Sequence, residues 1–289
     1  MRYPEILELT SGPAELSYTE QDAIIYALGV GAGLDRLGED ALRLVYEKDL
    51  RVLPTFATTL LDGSGDLFGR AEIDFRKVVH SEQRLVVHRP LPPAGRVSST
   101  SRVLGVADKG AEKGAVVYVE HTIADAAGGA PYATVVLTLY CRGDGGFGGP
   151  NQDPFPVHAI PQRAPDKESR QAVPANQAAL YRYAIKDANP LHIDPAVAKA
   201  VGFEQPLLHG LCTYGFAARA IMADWCDDDP ARIKSFDVRF AAPFFPGETL
   251  VTRSWRDGSV ISFECEAAER GAVIFRNGRC EIGASEERI

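Results

Sequence analysis

The sequence predicts an α+β protein built from two related halves, and three observations lead there. In each half helix-like segments come first and long strand-like segments follow. A Pro-rich corner ending in glycine stands ahead of the strands both times, at Gly95 and at Gly247. Residues 206–225, PLLHGLCTYGFAARAIMADW, carry apolar side chains on nearly every face of a helix, which calls for a sheet wrapped around it.

Taken in order, TEQDAIIYALGVG reads as a helix, PTFATTLLDG as a shorter, more polar counterpart of the enclosed helix, and RLVVHRPLPPAGRV as a strand entering the first corner. The second half repeats the theme about 150 residues later with PANQAALYRYAIKD and SFDVRFAAPFFPGETLV, an internal repeat of the kind that sets architecture. After the first corner come RVSSTSRVLGVAD, AVVYVEHTIADA and YATVVLTLYC; after the second, ETLVTRSW, SVISFECEAAE and AVIFRNGRCEIG. Alternation of Val, Ile, Phe and Tyr with polar residues between Gly-containing turns reads as antiparallel strands with one buried face. Between the halves, 143–176 opens with five glycines in eight residues and continues with scattered prolines, a composition that sustains neither a helix nor a central strand. The expected division is 1–142, a connection at 143–176, and 177–289.

A net charge of -8 without any basic run excludes an electrostatic nucleic-acid surface. No apolar run reaches the roughly 18 residues of a spanning helix, and MRYPEILELTSG lacks a basic stretch before an apolar core. A soluble protein is expected. SEERI at the C-terminus matches neither a peroxisomal nor an ER-retention signal, which leaves the cytoplasm as the expected compartment. Cys141, Cys212, Cys226, Cys265 and Cys280 form no CxxC and no repeated spacing, so reduced thiols are expected rather than disulfides or a zinc knuckle.

Polar groups concentrate in AIKDANPLHIDPAVAKAVGF, residues 184–203. Asp194 before Pro195 reads as a helix N-cap with proline at the first helical position, and Gly202 as the stop. Asp187 and His192 leave two readings open. Five residues apart, they share no helical face. On spacing alone a turn carboxylate and a half-buried imidazole is the more economical reading; the alternative is an acid/base pair brought together by a bend, with Asn189 held extended by Pro190. His192, His209, Asp187 and Asp194 could be drawn as metal ligands, but no HExxH or comparable spacing accompanies them, and no metal is expected. GVGAG at 29–33 follows a helix-like segment and lacks the last glycine of a dinucleotide fingerprint. There is no GxSxG elbow, and Cys212 reads as core packing.

The run Asp187, Asn189, Pro190, Leu191, His192 and Ala198 resembles the hydratase 2 motif of the MaoC-like (R)-specific enoyl-CoA hydratases, D-x-N-P-[LIV]-H-x(5)-[AS], with six positions agreeing over twelve residues. PLLHGLCTYGFA resembles the hotdog helix of that family, and YALGVGA with VLPTFA resembles the first half of its double-hotdog members. The likeness covers nearly the whole chain. It implies a double hotdog, two antiparallel sheets each wrapped around a central helix, with a complete site only in the second half, because the first has no D-x-N-P-x-H.

The resemblance also implies that Asp187 and His192 act on one water from one face of a trans-2-enoyl-CoA, giving syn addition and a (3R)-hydroxyacyl product. Asn189 would steady the loop or the water. The Gly210 N–H would receive the thioester oxyanion at the start of the enclosed helix, although a glycine there equally permits tight packing. The acyl-CoA is the substrate, no cofactor is implied, and a homodimer is expected. One departure stands out: the family usually has Ser-Gly before the aspartate, where this chain has Ile185 and Lys186. Lys186 leaves two readings open, a solvated side chain with no role or a cation at the pocket mouth meeting a phosphate or acidic acyl group. Two rival readings remain open, a dehydratase acting on acyl carrier protein and a catalytically silent acyl-thioester-binding protein.

Overall fold

The structure, a computed structural model, describes residues 1–34, 38–61 and 64–284. The SEERI terminus and residues 62–63 of PTFATTLLDG lie outside them. In chain order the helices are α1 (Glu20–Gly29), α2 (Glu39–Val45), α3 (Ser64–Arg70), α4 (Gln177–Ala184), α5 (Pro195–Ala200) and α6 (Gly210–Trp225). The strands are β1 (Thr10–Tyr18), β2 (Val78–Val87), β3 (Gly95–Asp108), β4 (Ala115–Asp125), β5 (Pro131–Cys141), β6 (Lys167–Ala172), β7 (Ile233–Phe240), β8 (Thr249–Asp257), β9 (Val260–Ala267) and β10 (Ala272–Ile282). They form two compact units: Met1–Ser17, Leu60–Arg89 and Gly95–His158 make the first, and Tyr18–Thr59, Pro90–Ala94 and Ala159–Ile289 the second.

The first unit orders its strands β1-β3-β4-β5-β2, with β3, β4, β5 and β2 paired antiparallel in sequence. Alternation puts Val103, Val119, Leu139 and Cys141 on the face that packs against Ile6, Leu67 and Ala71. The helix of this unit, α3, has seven residues; PTFATTLLDG, expected as the counterpart of the enclosed helix, instead forms a buried 3-10 helix over Pro54–Thr59, which falls in the second unit. The glycines of the 143–150 segment have a structural use: Asp108 at the end of β3 accepts backbone N–H bonds from Gly110 (2.9 Å), Gly146 (2.7 Å) and Gly148 (2.7 Å). Gly146 and Gly148 have φ of +87° and +79°, a region in which a side chain would be strained.

The second unit orders its strands β7-β10-β9-β8-β6, again in antiparallel pairs. β6 lies inside the stretch read as connection. It is polar (KESRQA), it occupies the edge and it pairs with β8, the position open to a charged strand. The enclosed helix is α6, whose residues Cys212–Ala218 and Ala220–Met222 are buried. Tyr214 donates to the Phe236 carbonyl at 2.6 Å and its ring meets Phe236 edge-on at 4.9 Å; Trp225 closes the far end by donating to Ser254 Oγ at 2.9 Å.

The sequence predicts this helix from residue 206, and the structure starts it at Gly210. Residues 206–209 stay out of the helix because their backbone groups are used elsewhere: the Leu208 N–H donates to the Phe244 carbonyl at 2.9 Å, and the Leu207 carbonyl accepts from a histidine described below. The two Gln-containing helices that the repeat pairs, α1 and α4, pack together. Gln177 donates to the Leu28 and Gly29 carbonyls at 3.1 and 2.6 Å, satisfying the open end of α1.

Candidate active site

The bend that spacing alone could not supply is made by the end of α4. Asp187 N–H donates to the Arg182 carbonyl at 3.0 Å and Lys186 N–H to the Tyr183 carbonyl at 3.3 Å, the paired bonds of a Schellman stop. Its left-handed residue is Lys186, at φ +58°. That is a position built for glycine, and it gives a physical reason for the glycine of the family pattern. Asp187 emerges from the turn and its Oδ1 accepts the Asn189 N–H at 2.8 Å. Asn189 Oδ1 in turn accepts the Leu191 N–H at 3.1 Å, capping a short 3-10 turn, Pro190–His192. Asn189 therefore steadies the loop.

The turn delivers His192 beside Asp187. One nitrogen or oxygen from each of Asp187, His192 and His209 lies within 4.8 Å of the others. His192 Nδ1 donates to the Leu207 carbonyl at 2.9 Å; a carbonyl only accepts, so in the neutral ring the proton sits on Nδ1 and Nε2 keeps its lone pair. His209 stacks on His192, with ring centroids 3.8 Å apart and planes 24° from parallel, and its Nε2 stands 3.2 Å from Asp187 Oδ2. Burial, and after it the neighbouring His192 charge, pushes the His209 imidazole down to about 3. It is neutral at any ordinary pH. Stacked rings send their in-plane lone pairs along parallel lines, a poor arrangement for converging on one metal ion.

Asp194 stands apart from this group. Its carboxylate accepts the Ala196 N–H at 2.8 Å and caps α5, as its spacing predicts, and Gly202 at φ +94° ends the helix. Gly210 is the first residue of α6, with His209 at the cap position; by helix geometry its N–H has no intrahelical acceptor. The packing reading of this glycine has support too, because a Cβ there would come 2.9 Å from Phe240 Cε1. Both uses are compatible.

Asp187 lines a cavity of about 600 Å³ together with Asp22, Ile25, Arg182, Tyr183 and Lys186, and His192 lines a second of about 280 Å³ beside Ile193, Gln205 and Pro246. The Lys186 side chain is 83% exposed, with Nζ 3.8 Å from Asp22 Oδ1. Cys212 is a core thiol: it is buried, donates to the Gly29 carbonyl at 3.3 Å, and burial pushes its pKa well up, away from nucleophilic use. All five cysteines are free and buried.

Sequence reasoning passed over His209, considered only as a possible ligand, and the Tyr181 ring packed 5.1 Å from it. The signal was present. A histidine heading an otherwise apolar, enclosed helix must be buried, and a buried imidazole has to be neutral or partnered.

Comparison with known proteins bears on this geometry. Residues 156–274 match the model of the MaoC like domain, and residues 16–143 that of the MFE-2 hydratase 2 N-terminal domain. A Dictyostelium discoideum protein named probable enoyl-CoA hydratase 2 is 35% identical over 277 residues, covering 92% of this chain and 91% of its own length. The chain belongs to the MaoC-like hydratase 2 family. Mouse peroxisomal multifunctional enzyme type 2 is 38% identical over 92% of the chain, which spans only 36% of that longer protein. The crystal structure of a MaoC-like dehydratase from Phytophthora capsici superposes with a TM-score of 0.87 at 31% identity, covering 99% of this chain and all of that one. The fold is the double hotdog of the family. Among the described residues, no helix is long and apolar enough to cross a membrane.

Proposed function

We propose that this MaoC-like chain hydrates trans-2-enoyl-CoA thioesters to (3R)-hydroxyacyl-CoA and catalyses the reverse dehydration. The observation that carries the reading is the gathering of Asp187, His192 and His209 to within 4.8 Å of one another, with the Nδ1 edge of His192 turned to the Leu207 carbonyl. Hydration needs a group to take a proton from water as it attacks C3, a group to deliver a proton to C2, and a donor for the charge growing on the thioester oxygen. Asp187 and His192 supply the first two around one water. The Gly210 N–H, unpaired at the positive end of α6, supplies the third.

Asn189 holds the loop that presents both groups. Lys186 stands on the wall of the Asp187 cavity and places a positive charge where a CoA phosphate or an acidic acyl group would pass. No cofactor enters: the thioester itself acidifies C2, and water is the nucleophile. Buried reduced cysteines suit a reducing compartment, and the reading extends to a cytoplasmic homodimer, which cell fractionation and light scattering would check.

The direct test is loss of the conjugated-enoyl absorbance of crotonyl-CoA, followed by chiral analysis of the product. A (3R) product is expected. A predominantly (3S) product, or a flat trace with retained thioester binding, would overturn the reading.

A further inference from the structure

We infer that His209 is a positioning residue for the acid/base pair, donating from Nε2 to Asp187 and bracing the His192 ring by stacking. The inference deepens the proposed hydration. Its Nε2 lies 3.2 Å from Asp187 Oδ2, close enough for a hydrogen bond but out of line with one in the resting protein, and such bonds often straighten only when substrate is bound. Its ring covers that of His192 at 3.8 Å. His192 is fixed on its other side by the Leu207 carbonyl. One residue thus presents a nitrogen to the carboxylate and a face to the imidazole, two contacts that a side chain with either property alone could not make.

The side chain is suited to this by its surroundings. His209 is 4% exposed, Tyr181 closes in 5.1 Å away, and the residue sits at the cap of α6, one position before Gly210. A positively charged ring there would stand face to face with His192 and oppose protonation of the working imidazole. Burial keeps His209 neutral, so it holds its neighbours without competing for the proton they exchange. A neutral imidazole carries a single N–H, and the carboxylate facing Nε2 fixes it on that nitrogen.

Two variants separate the donor from the ring. His209→Phe keeps a flat ring against His192 and removes the donor; His209→Gln places an amide nitrogen near the position of Nε2. On trans-2-enoyl-CoA, His209→Phe is expected to lose about 100-fold in kcat, the scale of a misplaced catalytic group, with KM held within about threefold because substrate contacts are untouched. His209→Gln should stay within about tenfold of the wild-type kcat. A Gln variant no better than the Phe variant, or a Phe variant with normal kcat, overturns the inference.

If His209→Phe does not fold, the Gln variant against wild type decides: retention within tenfold supports the donor role and collapse refutes it. Ring ¹⁵N–¹H correlation spectra of the wild-type protein provide a readout independent of turnover. They should show a neutral His209 protonated on Nε2; a proton on Nδ1 or a charged ring overturns the assignment. A wild-type protein that hydrates nothing would sink the proposed function, and these spectra would still decide the role of His209.

Discussion

Replacing Asp187 by Asn and His192 by Asn probes the proton chemistry with little disturbance of the loop. In Asp187→Asn the amide oxygen can still accept the Asn189 N–H, the 2.8 Å bond that shapes the turn, while Oδ2 becomes an NH₂ that cannot take a proton from water. In His192→Asn the amide nitrogen overlays ring Nδ1 and keeps the donor to the Leu207 carbonyl, a 2.9 Å bond, while Nε2 disappears. Each change leaves the scaffold contact and removes the reacting atom. General acid–base contributions are about 100- to 10,000-fold, so each variant should lose that much turnover with melting temperature nearly unchanged. Two groups that act on one water are strongly non-additive, and the double variant should be little worse than the worse single one. The assay is steady-state hydration of crotonyl-CoA, with thioester binding measured separately. An Asp187→Asn protein within tenfold of wild type would refute the pairing, and a fully multiplicative double variant would show that the groups act independently.

Four further outcomes follow from the geometry. Gly210→Ala keeps the N–H but meets the Phe240 ring, so it should cost about 1–3 kcal/mol of stability by overpacking; Gly210→Pro adds loss of the donor and should cost a further factor of about 100 in kcat, and equal turnover in the two folded variants would remove Gly210 from the oxyanion role. Lys186→Gly relieves the left-handed backbone, worth about 1–2 kcal/mol, against about 0.5–1 kcal/mol of added unfolded-state freedom; calorimetry should show a small gain in stability, and KM should rise while kcat holds, whereas unchanged kinetics on every thioester would leave Lys186 without a substrate role. Asp194→Ala should cost about 1 kcal/mol through its lost cap with turnover per folded molecule kept; loss of activity would mean that the two carboxylates have been assigned the wrong way round. His80, His121 and His209 are pushed by burial to about 4, 4 and 3. Their folded values lie below the free-imidazole value, so the unfolded chain binds the extra protons and stability falls as pH drops below about 6.5, by roughly 1.4 kcal/mol per unit for each histidine. Urea midpoints at pH 7 and pH 5 check this, and equal midpoints would contradict it.

Much of this was legible in the residues, and the parts that were not share a cause. The long strands β3, β4, β5, β8, β9 and β10 announce themselves because Val, Ile and Phe alternate along them. β1 carries Gly12-Pro13 and β6 reads KESRQA; neither displays a hydrophobic face, because an edge strand can hold its place through backbone bonds on one side. The start of α6 is not legible to within four residues, since Leu207 and Leu208 fit a helical face as well as a non-helical one, and what decides between them is the partners of their backbone groups, Phe244 and His192, outside the segment. The pair Asp187 and His192 is ambiguous by spacing; the family pattern points to it, and the structure brings the two side chains together. The Schellman stop at Lys186 and the stacked His209 depend on backbone angle and three-dimensional neighbourhood, which a linear reading does not carry.

The tetrapeptide ahead of α6 has a mechanical consequence. The Leu207 carbonyl fixes the tautomer of His192, the next residue ties the segment to Phe244, His209 underlies the imidazole, and Gly210 opens the helix. The orientation of the His192 ring and the placement of the Gly210 N–H are therefore set by one short piece of chain, moored at one end to the loop and at the other to the buried helix. A shift of α6 along its axis cannot spoil one function and spare the other. Substitutions deep in that helix, at Phe216 or Ile221, should accordingly displace the His192 ring and the Gly210 N–H together.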